Sequence, residues 1–156
     1  MNNSTDLHYL EMYELSQLIR TGKLSPVEVT KAQLTRIEAL DGQLHSYARV
    51  TADIALAQAQ QAEDELAQGI CHSPLHGIPI ALKDLIDTAG VPTTMGMPLH
   101  ANRVPERDAT VVTSLREAGA IMLGKLQMTE GAFAIHHPDI VEPQNPWGTN
   151  HWAGAS

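Results

Sequence analysis

The chain has 156 residues, 43% hydrophobic and 18% charged, and its 10 basic and 18 acidic residues give a net charge of −8. That size allows one ordinary domain with a real core, and an acidic balance with no basic stripe argues against a nucleic-acid partner. The single cysteine, Cys71, excludes an internal disulfide framework and suits a reducing compartment.

No apolar run approaches the roughly 20 residues of a membrane span. The start, Met1 to Asp6, lacks the basic and apolar parts of a secretory signal. The expectation is a cytoplasmic protein with no membrane partner. The other end, Trp152-Ala153-Gly154-Ala155-Ser156, is small and apolar where domain ends are usually polar. It reads as a cut within a longer chain.

Taken in order, the first element is a helix over about Glu11–Thr21, with Met12, Leu15, Leu18 and Ile19 on one face and Gly22 to stop it. Ser25-Pro26-Val27-Glu28 is a start signal, with a capping serine, proline at the first helical position and a glutamate to complete a capping box. The helix it starts turns Val29, Leu34, Ile37 and Leu40 inward and ends near Asp41-Gly42. Residues 46–50 alternate as a short strand. Alanine-rich residues 52–68 form a helix closed by Gly69.

Beyond this helical third the pattern changes. Ile78-Pro79-Ile80-Ala81-Leu82 is a short buried strand, followed by loop chemistry through Gly90, Pro92, Gly96 and Pro98. Asp108 caps a helix over Thr110–Ala118 that Gly119 ends, and residues 120–125 form a second buried strand. Strand, loop, helix and strand in that order make a βαβ-like unit. The fold class is therefore α/β, with partly parallel pairing. Residues 136–156 carry turn formers and little periodicity, and no linker divides the chain.

Lys83 stands at the end of the first buried strand. Lysine is almost never buried without a partner, so its position has two readings. A desolvated lysine can serve as a general base, but its pKa must fall from about 10.4 to about 7, at about 4–5 kcal/mol. Alternatively the ammonium snorkels to water or pairs with Asp84. Position alone leaves both open.

Other features point less far. His136-His137 has no third ligand at a helical or hairpin spacing, so no metal site is expected there. Cys71-His72 lacks a frame that would lower the thiol pKa and reads as a surface loop. Gly77, Gly90 and Gly96 are too scattered for a phosphate loop. Met128-Thr129-Glu130 reads as a polar turn or short helix start. Gly154-Ala155-Ser156 suits a tight turn that presents a hydroxyl, and beside a neutral lysine such a hydroxyl would complete a serine–lysine pair.

Six ordered segments together resemble the amidase signature family. They are Leu75-His76-Gly77-Ile78-Pro79-Ile80-Ala81-Leu82-Lys83-Asp84, Gly90-Val91-Pro92-Thr93-Thr94, Asp108-Ala109-Thr110-Val111-Val112, residues 117–125, Asn145-Pro146-Trp147 and Gly154-Ala155-Ser156. The resemblance covers about residues 10–156. It implies the N-terminal part of a single amidase domain, residues 1–156, with a mixed central sheet flanked by helices.

It also implies hydrolysis of a small-molecule carboxylic amide by a Ser–cis-Ser–Lys triad, with no cofactor and no metal. Lys83 matches the family's lysine base, and Ser156 matches the middle serine, which follows a cis peptide and relays protons. Ala155 departs from the family's glycine before that serine. The nucleophilic serine and oxyanion-hole amides fall, in the family, beyond Ser156, so these 156 residues alone are expected to be inactive. Two alternatives stand beside this reading. One is a glutaminase like the A-type subunit of glutamyl-tRNA(Gln) amidotransferase, and the other is a non-catalytic fragment. The substrate's acyl group and the oligomeric state have no sequence signature.

Overall fold

In a computed structural model, residues 7–133 and 135–154 are described, and the helices sit largely where their caps predict. Helix α1 spans Met12–Arg20 and α2 Pro26–Leu44. Strand β1 is Tyr47–Val50, α3 Ala52–Ala67, β2 Pro79–Lys83, α4 Thr110–Glu117 and β3 Ile121–Leu126. The architecture is mixed α/β, as expected.

At the start of α2 the hydroxyl of Ser25 accepts the N–H groups of Val27 at 3.0 Å and Glu28 at 3.2 Å, two donors that helix geometry leaves unpaired. The same hydroxyl donates to Glu63 on α3. Two expectations fail locally. Gly42 does not stop α2, which runs on to Leu44. The turn comes instead at His45, whose φ is +51 and whose N–H bonds Asp41 O at 2.8 Å. Leu40 and Met12 are exposed rather than inward, left uncovered by the described residues.

The sheet order is β1-β3-β2. β1 runs antiparallel to β3, pairing Tyr47 with Leu126 and Val50 with Gly124 across a register shift. The β2–β3 edge rises in step: Gly77 N–H donates to Gly119 O, Ile121 N–H to Ile78 O and Asp84 N–H to Leu126 O. Residue numbers that climb together on both strands mark parallel pairing, reached through α4 as a βαβ unit requires. β3, the central strand, is buried from Ile121 to Lys125. β2, expected to be buried, is only half-covered apart from Leu82; among the described residues it is the edge strand of the sheet.

By contacts the chain forms two compact units. The first comprises the described residues to Glu38, with Thr51–Ile80 and Ser114–Leu123; the second comprises Ala39–Val50, Ala81–Thr113 and Gly124 onward. The core of the first joins Leu15 and Ile19 of α1 to Leu7, Leu24, Val29 and Ile78. Burying each such Leu, Ile or Val contributes about 1.5–3 kcal/mol. Ala55, Ala59 and Ala62 make a small buried face along α3. That face lets the helix lie close enough for Gln58 to accept the Met122 N–H at 2.8 Å. In the second unit, Gly124 has no room for a side chain, since a Cβ there would overlap Arg49 O.

Candidate active site

Lys83 closes β2 and is partly exposed. Its ammonium has no hydrogen-bond or ion-pair partner among the described residues. The expected alternative of a pair with Asp84 is therefore corrected, because successive strand residues face opposite sides. Asp84 is fully buried and points its carboxylate elsewhere. Oδ2 accepts the N–H of Thr94 at 2.9 Å and the Thr94 hydroxyl at 2.5 Å, and Oδ1 lies 3.6 Å from the ammonium of Lys125. The Asp84 backbone is tied as well, with its N–H on Leu126 O and its carbonyl accepting from Met95.

The lysine removed from water is Lys125, with no exposed surface. Its ammonium donates to Ile86 O at 2.6 Å and to the Thr93 hydroxyl at 2.8 Å. Burial pushes its pKa below the ordinary lysine value, and Asp84 pulls the other way. Sequence reasoning placed Lys125 at the end of a buried strand but gave it no part. The rule applied to Lys83, that a lysine in a core run needs a partner, would have found it.

These bonds fasten the segment that follows Lys83. Arg103 binds Asp87 through two parallel contacts of 2.7 and 2.8 Å, and holds the Asp87 pKa below the usual carboxylate range. The Asp87 carbonyl accepts from Ala109, and Asp108 accepts the Ala89 N–H at 2.7 Å. Gly96, at φ +68, packs so tightly that a Cβ would lie 2.7 Å from Met128 O. The strand end bearing Lys83 is thus tied by backbone and side-chain bonds at its base, while the Lys83 ammonium itself has no partner among the described residues.

Ser156 and the Ala155–Ser156 peptide lie outside the described residues. Gly154 leads to them at φ +106, a turn conformation. Upstream, Gln144 and Trp152 pair as an antiparallel bridge, and the Asn145 side chain accepts the Trp147 N–H at 2.9 Å, leaving the Trp147 ring almost wholly exposed. His136 and His137 form no ligand cluster among the described residues. His136 is buried, and His137 accepts the Asp139 N–H at 3.2 Å. Cys71 is exposed, as expected of a surface loop. No described helix is long and apolar enough to cross a membrane.

The Amidase family model matches residues 28–156. A putative amidase, AmiD, of Mycobacterium tuberculosis is 48% identical over 147 residues, covering 94% of this chain and 31% of that protein. The A-type subunit of glutamyl-tRNA(Gln) amidotransferase from Moorella thermoacetica is 42% identical over 153 residues, covering 97% of this chain and 31% of its own length. Among solved structures, a chain described as part of a vestigial protein complex that reveals the origins of an s-triazine catabolic enzyme superposes with a TM-score of 0.88. It is 32% identical and covers 94% of this chain and 33% of that one. An α/β fold with a lysine-ended strand and this matched sequence defines the class: the chain belongs to the amidase signature family and corresponds to its N-terminal portion. It spans about a third of the length of the relatives it matches.

Proposed function

We propose that this chain carries the lysine and relay serine of an amidase that cleaves the C–N bond of a small carboxylic amide. The observation that carries the reading is the family match over residues 28–156, which includes both Lys83 and Ser156. In this mechanism Lys83 takes the Ser156 hydroxyl proton as Ser156 takes the proton of a nucleophilic serine that the family places after the relay serine. The nucleophile's oxygen adds to the carbonyl, the C–N bond breaks, and the relay returns a proton to the departing nitrogen. Water then releases the acyl group by the same route. The fixed Asp84 and Lys125 hold the base at a set place, which is where positioning gains rate. The proposed setting is the cytoplasm.

The test is a chimera in which this chain replaces the matched segment of the mycobacterial AmiD. Turnover of simple amides is the expected result, lowered at least about 1,000-fold by Lys83→Met and by Ser156→Ala. The 156 residues alone should show no turnover. A chimera that folds and hydrolyses amides equally well with Lys83→Met would overturn the assignment.

A second reading rests on the 42% identity to an amidotransferase A-type subunit. In that case the same triad would release ammonia from glutamine. Glutamine as the preferred substrate, with turnover that requires a second protein partner, would select it over the general amidase.

A further inference from the structure

Away from Lys83, in the first unit, three ligating side chains converge without a role in the amidase reading. Glu65 lies in the last turn of α3, and His72 and His76 lie on the segment that leads into β2. One atom of each lies within 4.8 Å of the other two. Glu65 Oε2 is 2.9 Å from His72 Nε2 and 3.1 Å from His76 Nε2, and the two rings stack with centroids 4.7 Å apart.

The His76 side chain has no exposed surface, and its Nε2 lacks a hydrogen bond despite the nearby carboxylate. Its one polar neighbour is the Glu65 carboxylate at 3.1 Å, which also faces His72, so a single oxygen serves two imidazoles. Two imidazoles and a carboxylate are a common donor set for zinc. We propose that Glu65, His72 and His76 bind a divalent d-block cation, with Zn²⁺ the type case, stapling the end of α3 to the segment that enters β2.

The geometry is close to what such an ion requires. Ligand distances of about 2.0–2.1 Å around a tetrahedral centre place donor atoms roughly 3.3 Å apart. The two Glu–His separations need to open only by a few tenths of an ångström, while the imidazoles must tilt toward each other. Two neighbours orient the set. Gln61 donates to Glu65 Oε1 at 2.8 Å and leaves Oε2 for the ion. Gly119 lies against the His76 ring so closely that a Cβ would be 2.7 Å from Cδ2.

A cavity of about 120 Å³ beside the cluster, lined also by Gln58 and Arg116, has room for a water as fourth ligand. One interaction opposes the ion. His76 Nδ1 accepts the His72 N–H at 3.1 Å, and ligation through Nε2 moves a proton to Nδ1 and ends that bond. Losing that bond lowers the affinity, so micromolar rather than nanomolar binding is the expectation.

The experiment titrates ZnCl₂ into the chelator-stripped chain by calorimetry and follows its melting temperature. One equivalent should bind with a Kd on the order of 1–10 µM, with a rise in Tm that EDTA reverses. Glu65→Gln and His72→Gln, both at partly exposed positions, should each weaken binding at least about 30-fold, while His137→Gln leaves it unchanged. Co²⁺ in the unaltered chain should give the intense visible bands of a four- or five-coordinate site. No binding at about 1 mM zinc, unchanged binding in both variants, or the pale spectrum of six-coordinate Co²⁺ would each overturn the site.

Discussion

Lys125→Met tests the network beneath Lys83 directly. Methionine keeps much of the length and apolar stem of the side chain, so the change removes the ammonium with little loss of volume. Ile86 O and the Thr93 hydroxyl each lose a charged donor, at 2.6 and 2.8 Å. Such bonds are worth about 1.5–3 kcal/mol apiece before the relief of no longer desolvating the ammonium. The larger effect falls on Asp84, which is 1% exposed and would lose the cation 3.6 Å away. Removing one partner of a buried pair typically destabilises by about 3–5 kcal/mol, and that is the expected loss.

With a urea slope of about 2 kcal/mol/M, the midpoint should fall by roughly 2 M. The assay is urea unfolding followed by circular dichroism, on the wild type, the single variants Lys125→Met and Asp84→Asn, and the double variant. The amide introduced by Asp84→Asn still offers an oxygen to Thr94 but carries no charge. The double variant should therefore recover at least about 1.5 kcal/mol relative to the sum of the singles. A loss below about 1 kcal/mol in Lys125→Met, or strict additivity, would refute the buried pair as the fastening of this segment.

Gly124→Ala should cost at least about 3 kcal/mol, because the new Cβ would overlap Arg49 O and force β1 from β3. Hydrogen exchange should show Tyr47–Val50 losing protection first. Ser25→Ala removes the α2 cap and should lower stability by about 1–2 kcal/mol in the same urea assay. A pH series tests Asp87, whose pKa is lowered in the fold chiefly by the Arg103 hydrogen bond. A depressed carboxylate stabilises above its unfolded pKa of about 3.9, and that contribution is lost as pH falls toward its folded value. Both side chains are about a third exposed, so it should stay below about 1 kcal/mol. Arg103→Met should flatten the stability slope below pH 4.

The amino-acid sequence by itself determined the order and kind of every main element, because those signals are local. Ser25-Pro26 before α2, the alanines of α3, Gly69 after it, and the apolar runs at residues 78–82 and 120–125 each act within a few residues. The ordered motifs likewise point to the family on their own. Burial was decided only by the tertiary structure, since it depends on which elements come to lie together.

A lysine within an apolar run does need a partner, yet the one without exposed surface is Lys125 in the central strand, not Lys83. Asp84 follows Lys83 in the chain but serves Lys125, because alternation along a strand turns neighbours apart and the parallel β2–β3 edge brings distant residues together. The same holds for Glu65, His72 and His76. His72 and His76 stand at a common ligand spacing of four, but Glu65 lies seven residues earlier, and only the fold of α3 against its following segment brings the three donor atoms within 4.8 Å.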